Sequence, residues 1–450
     1  MSSPRLVAWS LLRSGSPTPL REVDSDAAAA ALDDRDRAFV RRLVGTEIRR
    51  RGTLRALVRA FAHGKPDADL VAHLHLGLAQ AFFFDRVPDH ALVSETVGAV
   101  HATLGRTKAH YANAVLRTAL RARRDGTSGD RRSDIPLREL HLAVQVFHDP
   151  RVHPLLWAED ALSMPAAVMK RWSARFGEET AQALALCALE EPPVSLRVVR
   201  GERAALAAEL LELGLHPREG EHERILLLPA PESEAATSSA AFREGRATIQ
   251  GATALRAAEA LQARAGESLL DLCSAPGGKT AVLAESGASV TACDVTPAKL
   301  ARVRSGIERL RPAGEVRLLN VADERQRAAM ESELYDGVLV DAPCTNTGVL
   351  AQRPEARWRY GPATKRELLD LQAGLLAQGA ARVRSGGRLV WSTCSLDRDE
   401  NARLASRFVA GNAGWSLEEE RESLPDPQSA SEHGRGPIDG GYFARLRRGG

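Results

Sequence analysis

The sequence predicts a parallel α/β sheet over its C-terminal half, preceded by an all-helical N-terminal region and a small α+β connecting segment. From about residue 245, short apolar runs alternate with helical patterns, the mark of a parallel sheet covered by helices. Before residue 124, apolar residues recur at helical spacing without strand-like alternation. A length of 450 residues also exceeds one ordinary domain.

The N-terminal run Leu6-Val7-Ala8-Trp9-Ser10-Leu11-Leu12 reads as a first amphipathic helix and not as a signal peptide. Asp36-Arg37 opens a second, in which Phe39, Val40, Leu43, Val44 and Ile48 mark the buried face. Arg41, Arg42, Arg49, Arg50 and Arg51 fall between or just after them. A solvated face and phosphate contact account for these arginines equally well. Further helical patterns run through 70–84, 93–104 and 111–120. Residues 126–134 are polar and rich in turn formers, which predicts a linker. Between 135 and 240 the patterns mix: helices over 165–176 and 178–189, a strand reached through Pro192-Pro193, and a surface loop at 229–239. The expected division is therefore 1–124, 135–240 and 241–450.

Composition excludes more than it suggests. No apolar run approaches the roughly 20 residues of a membrane span. The net charge is only +3, and of 61 basic residues just six are lysines. A GC-rich coding sequence accounts for that arginine excess. The five cysteines, 187, 273, 293, 344 and 394, include no Cys-x-x-Cys pair. Zinc and a disulfide framework are therefore not expected, and free thiols in the cytoplasm are.

The first predicted strand, Ser268–Leu272, runs into Cys273-Ser274-Ala275-Pro276-Gly277-Gly278-Lys279-Thr280 and then a helix. Glycines between strand and helix let the backbone approach a ligand, and a helix N-terminus offers free N–H donors. The next strand, 289–293, is followed by Asp294, 23 positions after Asp271. Nucleotide-binding α/β folds place the carboxylate that holds ribose hydroxyls at about that distance. Thr296-Pro297 then caps a helix. The loop has neither the Gly-x-Gly-x-x-Gly spacing nor the phosphate-loop pattern, so a nucleoside without a phosphate chain fits it better.

The fourth and fifth strands end in Asp341-Ala342-Pro343-Cys344 and Ser392-Thr393-Cys394-Ser395. Both cysteines thus lie at the edge where open α/β sheets bind ligands. One free cysteine alone reads as structural; two at matching strand ends beside a ligand loop do not. Residues 395–401 read as a helix start, which would lower the pKa of the Cys394 thiol.

These segments, together with Glu400-Asn401 and the terminal run 439–446, resemble the RNA cytosine-5-methyltransferase family over about 245–450. Within it the chain is similar to the bacterial 16S rRNA branch. Residues 1–124 resemble its NusB-like helical domain, through Asp36-Arg37, Asp85-Arg86-Val87-Pro88 and Asn113-Ala114-Val115-Leu116-Arg117. The resemblance implies a Rossmann-like methyltransferase core, S-adenosylmethionine as cofactor, and RNA as partner, with 16S rRNA the expected substrate. Neither metal nor membrane is implied, and a monomer is expected.

The resemblance makes Cys394 the nucleophile that attacks cytosine C6 and assigns Cys344 to elimination and release. Asp341 would meet the base near N3 and N4. The cofactor would lie against Cys273, Ser274, Ala275, Pro276, Gly277, Gly278, Lys279 and Asp341, with Asp294 on the ribose and Asp323 on the adenine. Three positions depart from the family pattern: Asn346, where a small residue is usual, Val199, where an asparagine is usual, and Gly251, where an acidic or polar residue is common. A tRNA substrate and a non-catalytic RNA-binding assembly factor are the alternatives.

Overall fold

A computed structural model describes residues 3–426 and 438–450. By internal contacts the chain divides into two units, Met1–Glu190 with Pro354–Tyr360, and Glu191–Arg353 with Gly361–Gly450.

The first unit is built on the helices Pro4–Arg13, Asp34–Phe61, Ala68–Phe83, Asp89–Leu104 and Arg106–Ala122. Asp33 and Asp67 start two of them, accepting from the N–H of Asp36 (2.7 Å) and Leu70 (3.0 Å). Each satisfies a donor that a first turn leaves open. The arginine cluster is not a uniform surface. Arg50 is buried over the Phe83 ring and donates to Pro136 O at 2.9 Å. Arg51 pairs at 2.7 Å with the buried Glu47. Both therefore serve the interior.

Residues 126–134, expected as a linker, instead form the loop of a hairpin whose strands, Arg123–Asp125 and Leu140–Leu142, pair antiparallel. Asp134 closes the loop by accepting from Ser128 N (2.7 Å), Ser128 Oγ (2.6 Å) and Gly129 N (3.0 Å). Turn formers suit a linker and a tight loop alike; the carboxylate decides between them. Pro354–Tyr360 packs in this unit through buried Arg357, which donates to Ala188 O at 2.6 Å.

The second unit opens with a four-stranded antiparallel sheet in the order 218–219, 225–228, 194–198, 247–249. Residues 229–239, expected as a surface loop, contain a 3-10 turn and the short helix Ser233–Thr237, because Ala236 is buried in this sheet's core.

The larger sheet has seven strands: β1 (Ser268–Asp271), β2 (Ser289–Asp294), β3 (Val316–Asn320), β4 (Tyr335–Asp341), β5 (Val383–Thr393), β6 (Trp415–Ser423) and β7 (Gly441–Arg448). Their order is β6-β7-β5-β4-β1-β2-β3. The first five are parallel, and β6 and β7 are antiparallel additions. Val338-Leu339-Val340 of β4 and Leu389-Val390-Trp391 of β5 are fully buried apolar runs, as central parallel strands require when helices cover both faces. Burying each such side chain stabilises the sheet by about 1.5–3 kcal/mol.

Three helices bear on the site: α1 (Gly278–Glu285), α2 (Pro297–Leu310) and α3 (Glu324–Glu331). Thr296 caps α2 by accepting from Lys299 N, with Pro297 as first residue. Strands are added outward from β1 to β3 and then, from β4, on the other side of β1, and the ligand edge of such a sheet lies at that switch point.

Helix α1 is pinned from behind. Arg197, with no exposed surface, donates twice to Glu285 at the end of α1 (2.7 and 2.9 Å), and Arg224 donates to the same carboxylate at 2.6 Å. Removing one partner of a buried pair strands the other's charge, which costs about 3–5 kcal/mol, whereas replacing both with apolar residues is often neutral. Glu285→Ala should therefore lower stability in urea denaturation by that order, and Arg197→Met/Glu285→Leu should recover most of the loss. A single variant as stable as wild type would show that the pair does not hold α1.

Candidate active site

Four carboxylates and two thiols converge on the carboxyl edge of the large sheet: Asp271, Asp294, Asp341, Cys344 and Cys394 at or after β1, β2, β4 and β5, with Asp323 beyond β3. The pairing of β4 with β5 sets Asp341 opposite Ser392. That register brings the two cysteine loops side by side. Cys344 Sγ and Cys394 Sγ lie 3.3 Å apart, both as free thiols. Cys344 is buried and Cys394 half-buried.

The loops are held by Glu400, which has no exposed surface. Its carboxylate accepts from Thr345 N (2.9 Å), Thr345 Oγ1 (2.5 Å), Gln372 Nε2 (2.9 Å) and Ser395 Oγ. Thr345 follows one cysteine and Ser395 the other. Asn401 continues the frame, accepting from Thr393 Oγ1 at 2.6 Å and donating to Ser395 O at 2.8 Å. Gly348 N donates to Cys394 O at 2.9 Å, and a Cβ at Gly348 would stand 2.6 Å from the Gly440 carbonyl, so no side chain fits there.

The expected helix start after Cys394 is a correction. Residues 395–397 are irregular and 398–401 a turn, and the helix begins at Ala402. The segment is held by side chains: Leu396 N donates to Thr347 Oγ1 (2.9 Å) and Asp397 N to Ser395 Oγ (3.0 Å). The thiol is tuned by other groups. A hydrogen bond from Cys344 holds Cys394 below the ordinary thiol range, against burial and Asp341, with help from the charges of Arg353 and Lys279. Cys344 is pushed well up by the same bond, by burial, and by Glu400. When the pair carries one negative charge, these opposed shifts favour Cys394 as its holder and Cys344 as the hydrogen-bond donor.

Asp341 is fixed by Lys279 Nζ at 2.6 Å and Ser392 Oγ at 3.1 Å. Burial works against the Lys279 ammonium, but Asp341 outweighs it and the net shift is upward. Asp294 is buried and braces the glycine loop, accepting from Ala275 N (3.2 Å), Val295 N (2.7 Å) and Lys299 Nζ (2.9 Å). Ser274 Oγ donates to Cys293 O at 2.9 Å. Gly277 has φ +104°, and a Cβ there would meet the Val303 backbone at 3.1 Å. Asp323 is exposed and caps α3 by accepting from Gln326 N at 3.0 Å. Cys273 is half-buried at the start of the loop, its thiol pushed up by burial.

This edge suits a polar nucleoside ligand. Asp271 Oδ1 and both amide atoms of Gln250 are buried without partners. Gln250 lies beside the glycine turn, its Cδ 3.5 Å from where a Cβ of Gly278 would be. Buried polar atoms left open at a strand end are positions for a ligand's own donors and acceptors. Burial pushes Asp271 up to about 7, so a cationic group bound there would return it to the carboxylate form.

Sequence reasoning singled out Glu400-Asn401 without a role. It missed Gln372, which a later helix brings to Glu400 and Pro343 O, and Arg353, which folds back within the Cys344 loop onto Asn346.

Glu400→Ala would leave Thr345 N and one N–H of Gln372 without an acceptor in the interior and break the hydroxyl bonds of Thr345 and Ser395, a loss on the order of 3 kcal/mol. The expected outcome is a large fall in melting temperature together with loss of any chemistry that needs the paired thiols. Unchanged melting with an unchanged thiol titration would contradict the role given to Glu400.

The chain matches the family described as 16S rRNA methyltransferase RsmB/F over residues 258–437 and the NusB family over residues 11–121. It is 30% identical to ribosomal RNA small subunit methyltransferase B of Pseudomonas syringae pv. tomato, across 97% of this chain and 92% of that protein. It is 33% identical to the protein of that name from Xanthomonas campestris pv. campestris, across 86% and 82%. The crystal structure of PH0851 shares the fold, with a TM-score of 0.75 and 21% identity over 100% of this chain and 99% of that one.

Proposed function

The chain belongs to the RsmB/F family of 16S rRNA methyltransferases, and from that premise we propose that it methylates C5 of a cytosine in small-subunit rRNA, with Cys394 as covalent nucleophile. The observation that carries this reading is the pair of free thiols 3.3 Å apart, one depressed and one raised in pKa, beside the glycine loop. In this reading residues 1–124 bind RNA, 135–240 connect, and 241–450 carry out transfer in the cytoplasm. The NusB match favours rRNA over tRNA, and the tuned thiol pair speaks against a non-catalytic assembly factor.

S-adenosylmethionine supplies an electrophilic methyl group. The loop 273–279, Asp294, Asp323 and Asp341 would hold it, with Asp271 and Gln250 open beneath. Cytosine C5 is a poor nucleophile. Addition of the Cys394 thiolate to C6 breaks the C5–C6 double bond and moves electron density to C5. Asp341 and Lys279 face the base, where charge develops near N3 and N4. After C5 is methylated, its proton must leave before the C6–sulfur bond breaks and the double bond returns.

Cys344 is placed to help remove that proton. Once Cys394 is bonded to carbon, the thiolate that raised Cys344 is gone, and Cys344 releases its own proton to solvent more readily, leaving a thiolate that accepts the C5 proton. The target base must be unpaired or flipped out to reach the thiols.

Cys394→Ala should abolish methyl transfer to RNA. Cys344→Ala should spare addition and methylation but stall elimination, so protein should accumulate on RNA as a slow band on a denaturing gel. That band should require S-adenosylmethionine and vanish in the double variant. A folded Cys344→Ala enzyme with normal turnover and no adduct would leave Cys344 without a role.

A further inference from the structure

We propose that Asn346 and Arg353 are positioning residues for Cys394: the Arg353 guanidinium fixes the Asn346 amide, and that amide holds the Cys394 thiol in line with Cys344. The inference rests on Cys394 being the nucleophile. Asn346 departs from the small residue expected at its position, and it adopts φ +59°. Asparagine is among the residues that tolerate the left-handed region.

The side chain makes three contacts. Asn346 Nδ2 donates to Cys344 O at 2.7 Å. Its Oδ1 accepts from Arg353 Nη1 at 2.6 Å and from Cys394 Sγ at 3.3 Å. The first two fix which way the amide points. A flipped amide would turn its oxygen onto the Cys344 carbonyl and its N–H onto the guanidinium, losing both bonds. The oxygen is thus committed to the Cys394 side.

The sulfurs and the amide form a chain in which Cys344 donates to Cys394 and Cys394, while protonated, donates to Asn346. When the Cys394 proton leaves, the amide oxygen alone would repel the thiolate. The Arg353 charge behind it offsets that repulsion. The charged and titratable groups facing Cys394 are Cys344, Arg353, Lys279 and Asp341, with Glu400 behind Cys344. Lys279 is engaged by Asp341 at 2.6 Å, whereas Arg353 bears on the thiol through a neutral amide. Arg353 is therefore the cation whose removal shifts the thiol without unpairing a carboxylate.

The test is the pH dependence of iodoacetamide alkylation at Cys394 in the full-length protein, read by peptide mass spectrometry without RNA or cofactor. In wild type the rate should rise through a limb below the ordinary thiol range. Arg353→Met should move that limb upward and slow alkylation at neutral pH roughly tenfold. Arg353→Lys should return it at least half way. In an Asn346→Ala background Arg353→Met should add little, because the amide carries the coupling. A purely structural role would lower melting temperature and slow alkylation equally at every pH. A limb unmoved in folded Arg353→Met or Arg353→Lys protein, or full additivity in the double variant, overturns the proposal. Near wild-type RNA methylation by Cys394→Ala would instead sink the assignment of Cys394, independently of the alkylation result.

Discussion

Glu400 is a fully buried carboxylate that accepts four hydrogen bonds, and the loops of both cysteines hang from it. An ionised group is tolerated in the interior only where donors replace water, and here Thr345, Gln372 and Ser395 do so. Because Thr345 and Ser395 each adjoin a cysteine, satisfying this one carboxylate also sets the spacing of the thiols. Trp391 Nε1 donates to the Glu400 carbonyl at 3.0 Å, which ties the same residue to the core of β5. The helix that sequence pattern places after Cys394 begins only at Ala402, beyond the segment that Glu400 holds.

Two thiols held at hydrogen-bond distance cannot ionise equally. The first proton lost leaves a charge that the neighbour's S–H stabilises, and that charge opposes a second loss. Asymmetry around the pair decides which sulfur carries it. Cys344 is the more deeply buried and faces Glu400; Cys394 faces Arg353 and Lys279. In the proposed mechanism, a nucleophile and a group that releases its proton later thus arise from two identical side chains in different surroundings.

Much of this was legible in the sequence, and the reasons are specific. The strand-loop-helix run 268–285, the carboxylate at 294 and the cap Thr296-Pro297 are local patterns, and local patterns survive folding. The two cysteines were found because both follow apolar runs that become neighbouring central strands. The strands β6 and β7 were not read as such. Trp415–Ser423 is a charged edge strand whose Glu418 pairs with Arg445 and Arg447 across the hairpin, and it has no apolar alternation to detect. The hairpin loop 126–134 was missed because turn formers suit a linker equally well until Asp134 closes on Ser128 and Gly129, and the helix 233–237 because Ala236 is buried by a tertiary contact that composition does not encode. Lys279, named from the cofactor loop, also reaches Asp341 across the sheet edge, a pairing that only the strand order reveals.

The central claim is that the charge of the thiol pair lies on Cys394. Ultraviolet titration of thiolate absorbance in the full-length protein, compared with Cys394→Ser and Cys344→Ser, tests it most directly. Burial pushes Cys273 and Cys293 far up, so neither contributes at neutral pH. The account predicts one thiolate forming below the ordinary thiol range in wild type, lost in Cys394→Ser, and moved upward in Cys344→Ser as its hydrogen-bond donor disappears. A low-pH thiolate that persists in Cys394→Ser and vanishes in Cys344→Ser would contradict it.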